Sequence, residues 1–180
     1  MTKEIYISVD VETAGPNPSQ YAMLSIGACL VADLAATFYI ELQPTQDDFL
    51  PAALAVSQLD IQKLKETGIS PKEAMQRFAD WVKKVTPENA RAVFVAQNAP
   101  FDWMFVNDYF HRYLGQNPFG HSALDIKAFY MGRQGVKWSE TGLDEISKQF
   151  KIEKKLSHHA LEDAIDQANL FQALLNNKSR

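Results

Sequence analysis

The stretch that decides the fold is IYISVDVET, residues 5–13. Its first seven residues are rich in β-branched side chains and predict a strand. Alternation along a strand places Asp10 and Glu12 on one face and Val9 and Val11 on the other. Two carboxylates this close repel each other unless a proton or a cation neutralises them. The valine face is expected in the core. The acidic pair is a candidate metal site, although on its own it fits a pair of surface acids equally well.

Two further apolar runs follow at short spacing, and with the first they predict an antiparallel meander. They are Met23 to Val31 and Thr37 to Leu42. Beyond them, apolar periodicity predicts alternating helices and strands. We expect helices over 52–66, 71–85, 101–114, 126–131 and 159–175, short strands over 91–96 and 124–125, and one more helix through Lys148 that starts at a capping box, Thr141 to Asp144. The pattern indicates a mixed α/β sandwich forming a single domain over residues 1–180.

Composition limits the classes of function. The chain has 180 residues, a net charge of −4 and a single cysteine, Cys29, so no intrachain disulfide can form. With no signal-like start and no apolar stretch of membrane-spanning length, we expect a cytoplasmic protein without membrane contact. The acidic balance argues against a protein that coats long duplexes. It is compatible with an enzyme that holds a few terminal nucleotides through bound metal ions.

Three more residues with the same chemistry lie further along the chain. Asp102 follows Asn98-Ala99-Pro100-Phe101 directly after the strand at 91–96, a type of junction that often lines sites in α/β sheets. An aspartate near a helix start is also a common cap. His158 and Asp163 lie five apart at the start of the last helix. His159 is a competing candidate for a general base, and the spacing alone does not exclude it.

Taken together, the segments DVET, NAPFD and HHALEDA resemble the three motifs of the DEDDh (DnaQ-like) 3′–5′ exonucleases. The family motifs run D-x-E-T, H-N-x-x-F-D and H-x-A-x-x-D-A, in this order and across this length. The resemblance extends from Ile5 to about Leu175, and DVETAG and the NPF before Ser122 are most similar to ribonuclease T, within a ribonuclease T or oligoribonuclease type. The family spacing selects His158, not His159, as the base.

The resemblance implies a ribonuclease H-like fold, in which three antiparallel strands are extended by parallel ones. It also implies two Mg²⁺ or Mn²⁺ ions. Asp10, Glu12 and Asp163 would hold one ion, and Asp102 would hold the second, which Asp10 would share. His158 would take the proton from the attacking water. The expected activity is 3′–5′ hydrolysis of single-stranded RNA, DNA or short oligonucleotides, releasing nucleoside 5′-monophosphates.

Substrate contacts and partners follow from the same resemblance. The motif residues Thr13, Asn98 and Phe101 are expected to contact the strand, and Leu24 is expected to wedge beside the terminal base. The partner is then the single-stranded 3′ end of a nucleic acid, and several relatives pair as homodimers. The aromatic residues available to stack on bases are Phe101, Trp103, Phe105, Phe129 and Trp138, and a basic run, Lys148, Lys151, Lys154 and Lys155, precedes His158.

Two departures from the family pattern put inherited substrate contacts in doubt. Ala96-Gln97 stands where the family usually has Gly-His, and Ser25 stands where many members have Glu. Two other functions stay open at this point. One is a catalytically silent interaction domain on the same fold, although such a domain would be expected to lose one of the five site residues. The other is a metal phosphodiesterase for small nucleotides.

Overall fold

The architecture comes from a computed structural model that describes residues 2–152 and 157–177. In this part of the chain, five strands form one mixed sheet in the order β3-β2-β1-β4-β5. They are β1 Lys3–Thr13, β2 Met23–Leu30, β3 Asp33–Glu41, β4 Ala90–Ala96 and β5 Ala123–Asp125. The pairs β1–β2 and β2–β3 are antiparallel, and β1–β4 and β4–β5 are parallel. The predicted fold class is confirmed. Lys154 and Lys155 of the predicted basic run lie outside the described residues.

Seven α-helices and one 3-10 turn accompany the sheet in the described ranges. They are α1 Pro51–Ser57, α2 Ile61–Thr67, α3 Pro71–Val85, α4 Ala99–Leu114, α5 Ile126–Gln134, the 3-10 turn Trp138–Glu140, α6 Leu143–Phe150 and α7 Ala160–Asn176. None of the described helices is long and apolar enough to cross a membrane. The bounds agree with the predicted elements to within a few residues, with two exceptions.

The first exception is the helix predicted over residues 52–66, which is wrong as one element. Gln58 takes the left-handed conformation with φ of 57° and ends α1. The Asp60 carboxylate then accepts hydrogen bonds from the backbone N–H groups of Gln62 and Lys63, so α2 begins as a separate helix. The second exception is the capping box. The Thr141 hydroxyl donates to the carbonyl of Trp138 instead, and Gly142 precedes α6 without a side-chain cap.

The sheet has a core on each face because β1 is central and buried on both sides. Ile7, Val9 and Val11 pack with α3 and α4 in the larger cluster. On the opposite face, Tyr6 contacts Phe171 of α7, with ring centroids 5.4 Å apart. The alternation predicted for β1 therefore holds, and Asp10 and Glu12 lie on the face that α7 covers.

One glycine sets how closely α7 approaches the sheet. Gly27 of β2 is paired with Asp10 of β1, so a side chain at Gly27 would project from the same face as that of Asp10. A Cβ atom built at Gly27 would lie 2.1 Å from the carbonyl carbon of Ala160 and 2.3 Å from the backbone nitrogen of Leu161. Only glycine therefore leaves room for the first turn of α7 against the strand next to Asp10.

We expect Gly27→Ala to lower the free energy of unfolding by about 1–3 kcal/mol, because the new methyl group meets backbone atoms that cannot rotate away. Urea denaturation of the purified variant measures this. The matched control is Gly132→Ala in α5, where a Cβ has no atom within 4 Å. That change should stabilise the protein by about 0.5–1 kcal/mol, since alanine favours a helix over glycine. Equal stability of Gly27→Ala and the unchanged protein would contradict the packing argument.

Candidate active site

Three carboxylates from distant parts of the chain meet at one point. Asp10 and Glu12 project from β1, and Asp163 projects from the first turn of α7. One carboxylate oxygen from each lies within 4.8 Å of the others. More than a hundred and fifty residues separate Asp163 from Asp10 and Glu12 in the sequence. The packing of α7 against β1 and β2 brings them together. This is the convergence that the motifs predict.

Asp102 joins this group from the other side of β1. It lies in the first turn of α4 and is 5% exposed. Its Oδ1 accepts a hydrogen bond of 3.1 Å from the backbone N–H of Val11, the residue between Asp10 and Glu12. The cap interpretation of Asp102 is therefore not what the structure shows, because the carboxylate is turned toward the strand. Asp102 does not belong to the set of oxygens within 4.8 Å, but its charge acts on that set.

The pKa values of these acids are raised by burial and by their mutual repulsion. Burial, and then the charges of Asp102, Glu12 and Asp163, raise the pKa of Asp10 well above its ordinary value, opposed by a hydrogen bond from Gln167. Burial and the charges of Asp163 and Asp102 raise the pKa of Glu12 to about 8. Protons or cations must therefore neutralise part of this group at neutral pH.

The other two acids are shifted in the same direction for related reasons. Burial raises the pKa of Asp102 to about 7, and the hydrogen bond from Val11 opposes the shift. Burial also raises the pKa of Asp163, while the positive charge of His158 opposes it.

The donor set fits a hard divalent cation. Carboxylate oxygens are the ligands such ions prefer, and Mg²⁺ binds oxygen at about 2.1 Å, so two ligands on opposite sides of one ion lie about 4.2 Å apart. The three carboxylate oxygens lie within 4.8 Å of one another, which is close to that span. Asp10, Glu12 and Asp163 can therefore hold one divalent ion after small movements of their side chains. A cation there would also offset the burial and the repulsion that raise the pKa values of Asp10 and Glu12.

The two histidines at the start of α7 have different surroundings. The ring of His159 stacks on Tyr39, with centroids 4.4 Å apart and an angle of 26° between the planes. Its Nδ1 is buried and, within the residues that the structure describes, has no hydrogen-bond partner. His158 instead takes the left-handed conformation with φ of 50°, which costs a non-glycine residue roughly 1 kcal/mol. Strain of this kind is typical of functional positions.

The four predicted substrate contacts fall in different environments. Asn98 is exposed, with φ of 64°, and directly precedes α4, so its side chain is available to a ligand. Phe101 is half-buried, with its ring centroid 5.5 Å from that of Phe105. The Thr13 hydroxyl is buried and donates to the carbonyl of Gly15.

Leu24 is 0% exposed and packs in an apolar cluster with Ala14, Ala22, Ile61 and Leu64. Two of these neighbours, Ile61 and Leu64, belong to α2. A contact between Leu24 and a terminal base stays a prediction, and it would require the α2 side chains to move.

Sequence reasoning missed the residue that orients Asp10. Gln167 of α7 is 5% exposed, and its Nε2 donates a 2.7 Å hydrogen bond to Asp10 Oδ1. Its Oε1 accepts from the backbone N–H of Gln97, and Gln97 Nε2 donates in turn to the carbonyl of Thr141. Gln97 is the residue that departs from the family pattern. The one available signal was that Gln167 lies one helical turn after Asp163, on the same face of α7.

The chain resembles known nucleases over almost its whole length. The family model of the 3′-5′ exoribonuclease Rv2179c-like domain matches residues 5–175. The 3′-5′ DNA exonuclease Cap18 of Escherichia coli is 48% identical over 172 residues, which cover 96% of this chain and 92% of that protein. Ribonuclease T of Shewanella denitrificans is 31% identical over 183 residues, which cover 94% of this chain and 80% of that protein.

Solved structures agree on the fold. The nuclease domain of 3′hExo, a DEDDh family member bound to rAMP, superposes with a TM-score of 0.80 at 14% identity and covers 97% of this chain and 92% of its own. Escherichia coli exonuclease I in complex with a dT13 oligonucleotide has a TM-score of 0.71 at 17% identity and covers 97% of this chain and 41% of its own. The fold is therefore that of the DEDDh exonucleases.

The raised pKa values predict how stability depends on pH. For the metal-free protein we expect the free energy of unfolding to fall progressively between about pH 4 and about pH 8. The folded-state pKa values of Glu12 and Asp102, about 8 and about 7, lie above those of exposed acids. Their contribution is therefore complete below about pH 4 and is lost as pH rises through 7 and 8. Urea denaturation in chelator at several pH values measures the trend.

Mg²⁺ should oppose this loss, since it binds only the deprotonated acids. At about 100 times its dissociation constant it should stabilise by about 2.7 kcal/mol, which corresponds to roughly 5–10 °C in Tm. Glu12→Gln should flatten the pH dependence and reduce the Mg²⁺ response. The control Glu162→Gln, an exposed acid next to Asp163, should change neither. Stability that is independent of both pH and Mg²⁺ would contradict a repelling cluster.

The position of Gln167 predicts a loss of metal affinity when its side chain cannot hydrogen-bond. We expect Gln167→Leu to lower Mg²⁺ affinity about 10–100-fold, the usual effect of removing a partner that orients a ligand. Calorimetric titration measures the affinity directly. The matched control is Gln172→Leu on the same helix, because Gln172 also donates one hydrogen bond, to the carbonyl of Val31, away from the acids. An equal affinity in the two variants would contradict a role in positioning Asp10.

Proposed function

The chain belongs to the family of the Rv2179c-like 3′-5′ exoribonuclease domain and is a 3′-5′ exonuclease, and from this premise we propose that it removes nucleotides from single-stranded DNA 3′ ends. The alternative of a catalytically silent interaction domain is set aside, because the chain is an enzyme. The observation that carries the proposal is the convergence of three carboxylates within 4.8 Å. Asp102 lies next to them, because it accepts a hydrogen bond from Val11, the residue between Asp10 and Glu12.

We assign the binding of two Mg²⁺ or Mn²⁺ ions to these acids. Asp10, Glu12 and Asp163 would hold one ion. Asp102 would hold the second ion, and Asp10 would share it. When bound, such a pair supplies Lewis-acid activation of water and stabilises charge on the leaving oxygen. The raised pKa values favour this assignment, because each ion takes the place of protons that the acids would otherwise bind.

His158 would act as the general base of the reaction. The imidazole accepts a proton from the attacking water, the water oxygen bonds to the terminal phosphorus, and the bond from phosphorus to the 3′-oxygen breaks. The product is a nucleoside 5′-monophosphate, and the shortened strand keeps a 3′-hydroxyl. The interaction of His158 with Asp163 would hold the cationic imidazole that results. His159 is committed to stacking on Tyr39, which supports the choice of His158.

DNA is the first candidate for the substrate, because the 48% identical relative bears the name of a DNA exonuclease. RNA is the second candidate, since the matching family model is described as an exoribonuclease domain and other relatives are named ribonuclease T. A small-nucleotide phosphodiesterase is the third possibility. The exonuclease names of the family model and of the relatives favour a polymer over a small diester.

The test is digestion of 5′-labelled single strands of DNA and RNA with Mg²⁺, with Mn²⁺ and with chelator. We expect a ladder that shortens from the 3′ end, faster for DNA, and no cutting in chelator. Parallel release of mononucleotide from a dinucleotide and from a small diester tests the third possibility. A small diester that is cut while strands stay intact would overturn the proposal.

The base is tested by His158→Asn, because asparagine tolerates the left-handed conformation and so removes the imidazole without adding strain. We expect kcat to fall about 10²–10⁴-fold with little change in stability. His159→Phe, which keeps a ring for Tyr39, is the matched control and should keep most of the activity. A fall in kcat for His159→Phe alone would assign the base to the other histidine.

A further inference from the structure

Trp138 is the most exposed of the aromatic side chains that the sequence offers for base stacking. Its residue is 52% exposed, in the 3-10 turn between α5 and α6. The ring of Trp103 packs edge-on against Phe94, Phe105 is fully buried, and Phe129 packs against Phe171. Phe101 is half-buried and packs on Phe105. Among these rings, Trp138 is therefore the one most open to an incoming base.

A continuous chain of hydrogen bonds connects Trp138 to the acids. Asp10 accepts from Gln167, and Gln167 accepts from the backbone of Gln97. The side chain of Gln97 donates to the carbonyl of Thr141, and Thr141 donates through both its backbone and its hydroxyl to the carbonyl of Trp138. The turn that carries the indole is thus connected to the carboxylate site by a series of hydrogen bonds.

The indole is also held by a cation from α5. Lys127 Nζ lies 4.3 Å from the ring centroid of Trp138. Among residues 2–152 and 157–177, no carboxylate lies within salt-bridge distance of Lys127. Two residues earlier, Asp125 accepts a 2.7 Å hydrogen bond from the backbone N–H of Ala99, at the start of the helix that carries Asp102. This bond holds the start of α5, which carries Lys127, against the start of α4.

Charge around the indole suits a polyanion. Lys127 lies over one face, and Lys137 directly precedes the ring in sequence. The nearby acid, Glu140, accepts a hydrogen bond from the backbone N–H of Lys137 and so has its charge partly satisfied. With one face covered by an ammonium group, the exposed area includes the other face of the ring.

We propose that Trp138 stacks on an unpaired base of the substrate strand, upstream of the terminal nucleotide, with Lys127 beside the adjoining phosphates. The inference rests on the proposed function. Every base has a flat face, so this contact would add affinity for strands of any sequence. On this proposal the stacked base lies further upstream than the second nucleotide from the 3′ end, so the contact would favour strands over dinucleotides.

The test compares Trp138→Ala with the unchanged protein on a single-stranded decanucleotide and on a dinucleotide. We expect kcat/KM for the decanucleotide to fall about 5- to 150-fold, the usual worth of one stacked base. Hydrolysis of the dinucleotide should stay within about twofold. Trp138→Phe should recover most of the loss, and Met131→Ala, an exposed apolar residue on α5, should cause none.

An abasic residue moved along the decanucleotide identifies the stacked base. At one position the abasic residue should lower kcat/KM in the unchanged protein as much as Trp138→Ala does. At that same position it should cause no further fall in kcat/KM in Trp138→Ala. Equal rates for Trp138→Ala and the unchanged protein on both substrates would overturn the inference, and so would an equal loss on both. If the unchanged protein releases nothing from either substrate, the proposed function fails first, so the two failures are distinguishable.

Lys127 has its own readout. In a His158→Asn background, which slows cutting, strand binding can be followed by fluorescence anisotropy across salt concentrations. Lys127→Met should reduce the slope of log affinity against log salt by about 0.7, the value for one phosphate contact on a single strand. Lys84→Met on α3, an exposed lysine at the far end of that helix, should leave the slope unchanged. An unchanged slope in Lys127→Met would overturn the phosphate contact.

Discussion

Mutual repulsion among buried carboxylates is the constraint on which the rest of this structure depends. Three of them meet within 4.8 Å, and the charge of a fourth raises the pKa of two of the three. No isolated segment would adopt this arrangement, because each acid would be better solvated in water. The fold offsets the cost in the apolar clusters on the two faces of the sheet, where the rings of Phe78 and Phe171 lie in separate cores. The apolar clusters therefore stabilise the fold, and the buried acids destabilise it.

Three contacts determine where the acids lie relative to one another. Gly27 lets the backbone of α7 touch β2, which brings Asp163 to the level of Asp10. The Val11 N–H holds Asp102 against the central strand, and Gln167 holds Asp10 from above. The first contact joins α7 to β2, and the other two join α4 and α7 to β1. The acids thus come from three elements, and the central strand β1 carries two of them and the N–H group that holds a third.

The sequence could predict whatever depends on local pattern. Strand β1, the meander, the order of later elements and the shared face of Asp10 and Glu12 follow from alternation and periodicity. Motif order identified the family and the five proposed site residues. Contacts between distant segments were beyond reach. The hydrogen bond from Gln167 to Asp10 spans 157 positions, and the burial of Leu24 depends on α1 and α2 folding as two helices rather than one. The break at Gln58 is a left-handed residue that no periodicity reveals.

The net charge of −4 makes the problem of substrate binding sharper. An acidic protein repels a polyanion at long range, so affinity for a strand has to come from short-range contacts that act after approach. Bound cations would reverse the sign of the field only near the terminal phosphate, because dissolved salt screens charges beyond about 10 Å at 0.1 M ionic strength. For nucleotides further upstream, stacking is a contact that does not require the metal ions. The proposed stacking on Trp138, whose turn shares a hydrogen-bond network with Asp10, would supply such a contact. On this view, the acids and their metal ions would hold the terminal phosphate, and the indole would hold the strand behind it.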